Sequence, residues 1–202
     1  ATIERLTNEL NERLRAADIR VNIVPGSETH YYAEFVDELK RGDVLSINRS
    51  PYVYLELPHQ HVPRYAREMV FEITVLGYTP IIPHPERNRE IRENPDLLYG
   101  IVAEGAISQV TAGSLTGYYG QDVEKFSAKL FEHNLSHLIA SDGHGVKHRR
   151  PELSAAYEKL EKVMGTDCVE RCQANASRIV NGEELDVDQP RKIRRKRLFG
   201  LM

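Results

Sequence analysis

The 202-residue sequence contains no tryptophan, two cysteines and three methionines. Two cysteines cannot make a disulfide framework, so a packed core must hold the chain together. Nowhere does an apolar run approach the ~18 residues of a membrane-spanning helix. The opening residues, ATIERLTNEL, lack the charged and apolar regions of a secretory leader. The cytoplasm is the expected compartment. A charge excess is also missing: 27 Lys and Arg face 30 Asp and Glu, for a net −3. With 41% hydrophobic and 28% charged residues, the composition excludes a disordered tail, a collagen-like repeat and a coiled-coil rod.

The small net charge hides an uneven distribution. Residues 191–197 (RKIRRKR) carry six cations, and without them 21 basic residues face 30 acidic ones, a net −9. An acidic body excludes a nucleic-acid domain, while the tail is a local cationic patch. The pattern divides into a body over residues 1–188 and a basic tail over 189–202. Anionic membrane surface, an acidic segment of a partner, or solvation alone would each satisfy that tail, and solvation is the favoured reading.

Apolar residues at helical spacing (Ile3, Leu6, Leu10, Leu14) open the chain. A first strand is expected over residues 21–24, before Pro25-Gly26. Further strands are expected over 52–57, 79–83, 106–110 and 137–140. Helices are expected from Pro63 to Gly77, from Asn94-Pro95 to Gly105, from Asp122 with Val123, Phe126, Leu130 and Phe131 on one face, over 152–164, and around Val169 and Ile179. Strand and helix alternate, as in a parallel α/β architecture.

A polar residue stands at or just beyond the end of each expected strand: Glu28, Glu56, His84, Gln109 and Asp142. Glu28 to Glu56 and Glu56 to His84 are each 28 residues, and His84 to Asp142 is 58. A strand–helix–strand unit takes roughly 30 residues, so each unit delivers one such residue. In a (β/α) barrel these positions converge on the face where chemistry occurs. Glu, Glu, His and Asp, with His144 two residues after Asp142, form a donor set for a hard or borderline divalent ion. Such a set suits a multinuclear hydrolytic site acting on a phosphoryl group. The bland alternative is that each carboxylate caps a helix or pairs with an arginine. Arg87, three residues after His84, is placed to hold phosphate oxygens; Arg89 and Arg92 read as surface residues.

The segments PGSE (25–28), YLELPHQHVPRYA (54–66), IIPHPERNREIRENPDLLY (81–99), SQVTAGSLTGYYG (108–120) and ASDGH (140–144) resemble the bacterial manganese-dependent tyrosine-protein phosphatases. These belong to the PHP (polymerase and histidinol phosphatase) superfamily and are associated with capsule and exopolysaccharide production. The resemblance covers nearly the whole chain. It implies a distorted (β/α)7 barrel with up to three metals, Mn2+ in the first place, with Fe, Zn or Mg as alternatives. It further implies that Glu28 bridges two metals, that Glu56 and His84 complete the second, that Asp142 joins the first and His144 the third, and that Arg87 binds substrate phosphate, with Arg87, Asp142 and His144 in catalytic positions. The substrate implied is a phosphotyrosine protein, a bacterial tyrosine kinase in particular, which could bring the enzyme to the inner face of the membrane.

The family pattern begins with a strand carrying His-x-His, and none precedes residue 1, so about two βα units, and with them part of the barrel, are expected to be missing at the N-terminus. The His-x-His of this chain, His59-Gln60-His61, follows a later strand and reads as a loop near the site entrance rather than as metal ligands. His30, His133, His137 and His148 read as surface or packing residues. Tyr31-Tyr32 and Tyr118-Tyr119 are candidates to line a phosphotyrosine entrance. Cys172 and Arg178 have the Cys-x5-Arg spacing of cysteine-dependent phosphatases, but the intervening residues contain no glycine and read as helix. Two other activities compete: a small-molecule phosphatase of the histidinol phosphate type, and a catalytically impaired binding module.

Overall fold

The computed structural model describes residues 2–194. Arg195, Lys196, Arg197 and the LFG near the C-terminus, part of the basic tail, lie outside the described residues.

Five parallel strands form one sheet: β1 (Glu28–His30), β2 (Tyr52–Glu56), β3 (Thr79–Pro83), β4 (Ile107–Thr111) and β5 (Leu138–Ala140). Their spatial order is their order in the chain, β1-β2-β3-β4-β5, with every adjacent pair parallel. Consecutive order without reversal means that every crossover winds the same way, as in (β/α) barrels and unlike doubly wound sheets. The helices are α1 (Thr2–Ala16), α2 (Phe35–Arg41), α3 (Ala66–Val75), α4 (Arg89–Glu93), α5 (Asp96–Ala103), α6 (Ala112–Leu115), α7 (Gln121–Glu132), α8 (Ser154–Met164) and α9 (Thr166–Asn181).

Alternation along the strands sorts the side chains onto two faces. Val53, Leu55, Ile82, Val110 and Ile139 join the larger core, with Phe35 of α2, Val70 of α3, Leu98 of α5, Leu130 of α7 and Leu160 of α8. Tyr52, Ile81, Ile107 and Leu138 point the other way, into a smaller core closed by Ile179 of α9 and by Ile47. The end of α9 is fastened there: the Asn48 side chain donates to the Val180 carbonyl at 2.9 Å and the Tyr52 hydroxyl to that of Glu183 at 2.7 Å. The second face is therefore filled at one end of the strands. Farther along the same face lie Tyr54 and Glu56, with Glu28 and His30 in register beside them.

Several sequence expectations need correction. Residues 21–24 form no strand. The backbone of Ile23 is gripped instead by Asn11 of α1, whose amide accepts from its N–H and donates to its carbonyl, both at 2.8 Å. A side chain thus takes the place of a neighbouring strand, and Glu28 begins β1 rather than ending a strand. Helix α1 follows the apolar spacing, yet Ile3, Leu6 and Leu10 remain 43%, 51% and 44% exposed, and its buried residue is Asn11. Helix α3 starts at Ala66, three residues after Pro63, with Gly77 in the left-handed conformation (φ 83°) beyond its end. The helical segment expected around Val169 and Ile179 is one continuous helix, α9. Helix α2, absent from the sequence reading, is ended by Gly42 in a left-handed cap that donates to Glu38 and Leu39.

Residues 189–193 lie against the body. The Arg191 N–H donates to the His133 carbonyl at 2.8 Å, Asn134 donates to the Gln189 carbonyl at 2.9 Å, and the Lys192 ammonium stands 5.2 Å from the centre of the Tyr99 ring.

Candidate metal centre

Glu28, Glu56 and His84 meet on the open part of the second face. The Nε2 of His84 lies 2.9 Å from Glu28 Oε1 and 3.3 Å from Glu56 Oε1. Strict alternation would send His84 to the same side as Ile82, into the larger core. Its backbone instead takes a left-handed conformation (φ 38°, ψ 46°), while its N–H continues the sheet by donating to the Gln109 carbonyl at 2.8 Å. That turn re-aims the imidazole at the two carboxylates. A non-glycine residue in this region is strained by about 1 kcal/mol, and such strain concentrates at functional sites.

Two further histidines reach the cluster. His59 forms a group with Glu56 and His84 in which the candidate donor atoms all lie within 4.8 Å of one another. Its ring is centred 5.6 Å from that of His84. His30 Nδ1 lies 2.7 Å from Glu56 Oε2, although the His30 side chain is itself well exposed. By sequence, His59 reads as part of a loop near the site entrance and His30 as a surface or packing residue. The signal that would have found His59 is the PHPERN segment: Asn88 donates from its amide to the Pro58 carbonyl at 2.6 Å and to that of His61 at 3.0 Å. The Arg89 N–H donates to the His59 carbonyl at 3.0 Å. The segment that carries His84 therefore ties down the loop that carries His59.

Asp142 and His144 are arranged differently. Asp142 is held by two arginines: Arg87 donates to its Oδ2 at 2.5 Å and Arg149 forms an ion pair with the same oxygen. His144 Nδ1 lies 3.3 Å from Asp142 Oδ1 and 2.9 Å from its carbonyl. Neither residue is part of the Glu56–His59–His84 group. Arg87 links the two halves, standing three residues beyond His84 at the end of a 3-10 turn over Pro85–Arg87. Its guanidinium also sits over the Tyr119 ring, 4.8 Å from the centroid. Arg149, in the run KHRR that follows SDGH, was not singled out by the sequence reading.

Beneath the centre, Tyr54 donates to Gln109 Oε1 at 2.5 Å, and burial together with the charge of Glu28 pushes the Tyr54 hydroxyl up to about 12. Gln109 is thus occupied in the floor of the site. Glu86 supports the 3-10 turn from behind and is fully buried. Its Oε1 accepts from the Thr111 N–H at 3.0 Å and from the Ser114 hydroxyl at 2.6 Å. Burial raises its pKa above the ordinary carboxyl value, and Oε2 has no hydrogen-bond partner among the described residues. A neutral carboxyl suits that environment. Arg92 donates to the carbonyls of Glu86 and Arg87 at 3.1 and 2.6 Å, fixing the same turn.

The donor chemistry fits a divalent cation. One imidazole nitrogen stands between two carboxylate oxygens, and a single N–H can satisfy only one at a time. Two carboxylates converging in a half-buried pocket repel each other unless a positive charge lies between them. Mixed oxygen and imidazole donors are those of Mn-, Fe- and Zn-type sites.

The cysteine alternative has no geometry to support it. Cys172 and Arg178 lie inside α9, whose amides serve the helix and cannot cradle a phosphate. Cys168 and Cys172 are both buried. Their mutual hydrogen bond brings Cys168 down to about 7 and raises Cys172.

The fold recurs in known proteins. The tyrosine-protein phosphatase YwqE of Bacillus subtilis is 40% identical over 99% of this chain and 79% of its own length. CapC of Staphylococcus aureus is 32% identical over 99% of this chain and 80% of its own. The tyrosine-protein phosphatase CpsB of Streptococcus pneumoniae is 26% identical over 85% of this chain. A crystal structure from a study of YwqE and CpsB, described as unique metal-dependent tyrosine phosphatases, superposes with a TM-score of 0.93 at 40% identity, covering 96% of this chain and 78% of the solved one. Residues 1–181 match the family described as capsular polysaccharide synthesis, CpsB/CapC. With that match over most of its length, the chain belongs to the CpsB/CapC capsular polysaccharide synthesis family.

Proposed function

We propose that this protein is a metal-dependent protein-tyrosine phosphatase of capsule or exopolysaccharide synthesis, with a tyrosine kinase of the same system as substrate. The observation that carries the reading is the convergence of Glu28, Glu56 and His84 on one point of the sheet face, with Arg87 held three residues away. The consecutive parallel strand order supports a PHP-type distorted (β/α)7 barrel. Among the described residues no helix is long and apolar enough to cross a membrane, which is compatible with a cytoplasmic enzyme.

Glu28, Glu56, His84 and His59 would hold the ion, Mn2+ in the first instance, with Asp142 and His144 on the Arg87 side as donors to further ions. A bound divalent ion there supplies positive charge against phosphoryl oxygens and brings the ionisation of water toward neutral pH. Arg87 orients the phosphate: Asp142 and the Tyr119 ring fix its guanidinium, leaving further N–H donors for the charge that builds on the equatorial oxygens. Tyr54 and Gln109 are hydrogen-bonded to each other on the face that carries the cluster, with Tyr54 in register beside Glu28. A phenol of pKa ~10 leaves with less proton assistance than an alcohol does. That favours an aryl phosphate over an alkyl one such as histidinol phosphate.

The test is Mn2+-dependent release of phosphate from a phosphotyrosine peptide and from histidinol phosphate, in parallel. Hydrolysis of the peptide, lost in His84→Ala, is expected. Faster hydrolysis of histidinol phosphate would assign the small-molecule activity. Turnover that survives His84→Ala would overturn the centre itself.

A further inference from the structure

A cavity of about 230 Å³ lies next to the Arg87–Asp142 pair, lined by Tyr119, which contacts Arg87, and by Arg149, which pairs with Asp142. One wall is aromatic, with Tyr118 and Tyr119 packed edge to face at 5.0 Å. Gly113 permits this packing: a Cβ there would stand 3.3 Å from the Tyr119 ring and 3.4 Å from the Tyr118 Cβ. Tyr119 is shared, because it also carries the Arg87 guanidinium. The cavity therefore shares a wall residue with the group assigned to the substrate phosphate.

The facing wall is cationic, made by Lys147, His148, Arg149 and Arg150. Arg149 turns inward to Asp142, and Arg150 pairs with Glu152 at 3.1 Å. Lys147 and His148 form no ion pair among the described residues. With Arg149 and Arg150 matched by Asp142 and Glu152, Lys147 is the uncompensated cation of this run, in a chain whose body carries a net negative charge. On the cavity wall it attracts anionic groups and repels cationic ones.

We propose that this cavity seats a residue flanking the phosphotyrosine and selects an acidic one, so that the preferred substrate is a phosphotyrosine within an acidic segment. The inference rests on the phosphotyrosine reading above and adds the recognition of sequence around it. The Tyr118–Tyr119 wall supplies apolar contact for the carbon stem of the flanking residue. Lys147 meets its carboxylate at the rim. The space suits one or two side chains and leaves the phosphate to Arg87.

Three fluorescent phosphotyrosine peptides, with glutamate, serine or lysine flanks, test this by anisotropy and by phosphate release on the same Mn2+-loaded protein. An acidic-to-neutral affinity ratio of about 5 is expected at low salt, the range that one or two exposed charge pairs support. It should fall toward 1 near 1 M salt, where screening shortens to about 3 Å. Lys147→Glu should invert the preference, and Lys147→Ala should flatten it. Reading a ratio within each variant cancels any change in overall activity or folded fraction. Equal affinities for the three peptides, or a ratio unmoved by both substitutions, would overturn the subsite. Acid-selective binding without release of phosphate from any peptide would support the subsite and reject the phosphatase reading instead.

Discussion

Asn88 joins stability to the site, because one side chain both caps a helix and holds the loop of His59. It is almost wholly buried, and its side-chain oxygen and both amide hydrogens are engaged. Its Oδ1 caps α4 by accepting from the Ile91 N–H at 2.9 Å, and its amide nitrogen satisfies the carbonyls of Pro58 and His61. Asn88→Ala removes the cap, worth about 1 kcal/mol, and leaves two part-buried carbonyls without donors at about 1 kcal/mol each. The expected loss is about 3 kcal/mol, measured as a shift in the midpoint of urea unfolding at constant slope. Asn88→Asp separates the two roles. It keeps the cap oxygen but turns a second oxygen toward two carbonyls, so it should destabilise at least as strongly and release the loop of His59. Mn2+ titration calorimetry on both variants should then show weakened binding. A loss below about 1 kcal/mol for Asn88→Ala, or an Asp variant as stable as the parent, would refute the assignment of the 58–61 loop to Asn88.

Other consequences are open to measurement. His59→Ala should weaken Mn2+ binding about tenfold or more, near 1.4 kcal/mol, read by calorimetry; unchanged affinity would remove His59 from the donor set. Glu86→Ala leaves the Thr111 N–H and the Ser114 hydroxyl buried without an acceptor and should cost about 2–4 kcal/mol, whereas Glu86→Gln, which retains an acceptor, should lose clearly less in the same urea assay. His137 is buried, its Nδ1 accepts from the Ser108 N–H at 3.1 Å, and burial depresses it to about 4. Because the folded value lies below the unfolded one of 6.5, its contribution is fully present above about pH 6.5. It is lost as the pH falls toward 4, on the order of 3 kcal/mol in all. A pH series of unfolding midpoints should show that decline, and His137→Gln should flatten it.

What the sequence made legible follows from local rules. Strand β3 falls on the residues the β-former run indicated, and Phe126, Leu130 and Phe131 of α7 are buried as their spacing required. The 28-residue interval located Glu56 and His84 because a βα unit has a nearly fixed length. The failures needed information from elsewhere in the fold. The run at 21–24 has strand composition, but the side chain of Asn11, ten positions earlier, meets its backbone instead of a neighbouring strand. His59 reads as loop because nothing local reveals that Asn88, twenty-nine residues on, holds that loop over the centre. His84 reads as a strand terminus, and its left-handed backbone, which decides where the ring points, has no signature in residue type. Arg149 reads as one cation in a run, and only the fold gives it Asp142.

Tyr52, Ile81, Ile107 and Leu138, closed over by Ile179 of α9, fill one end of the sheet face, so the Glu28–Glu56–His84 cluster is backed on that side by apolar packing that sets its distance from the helix behind it.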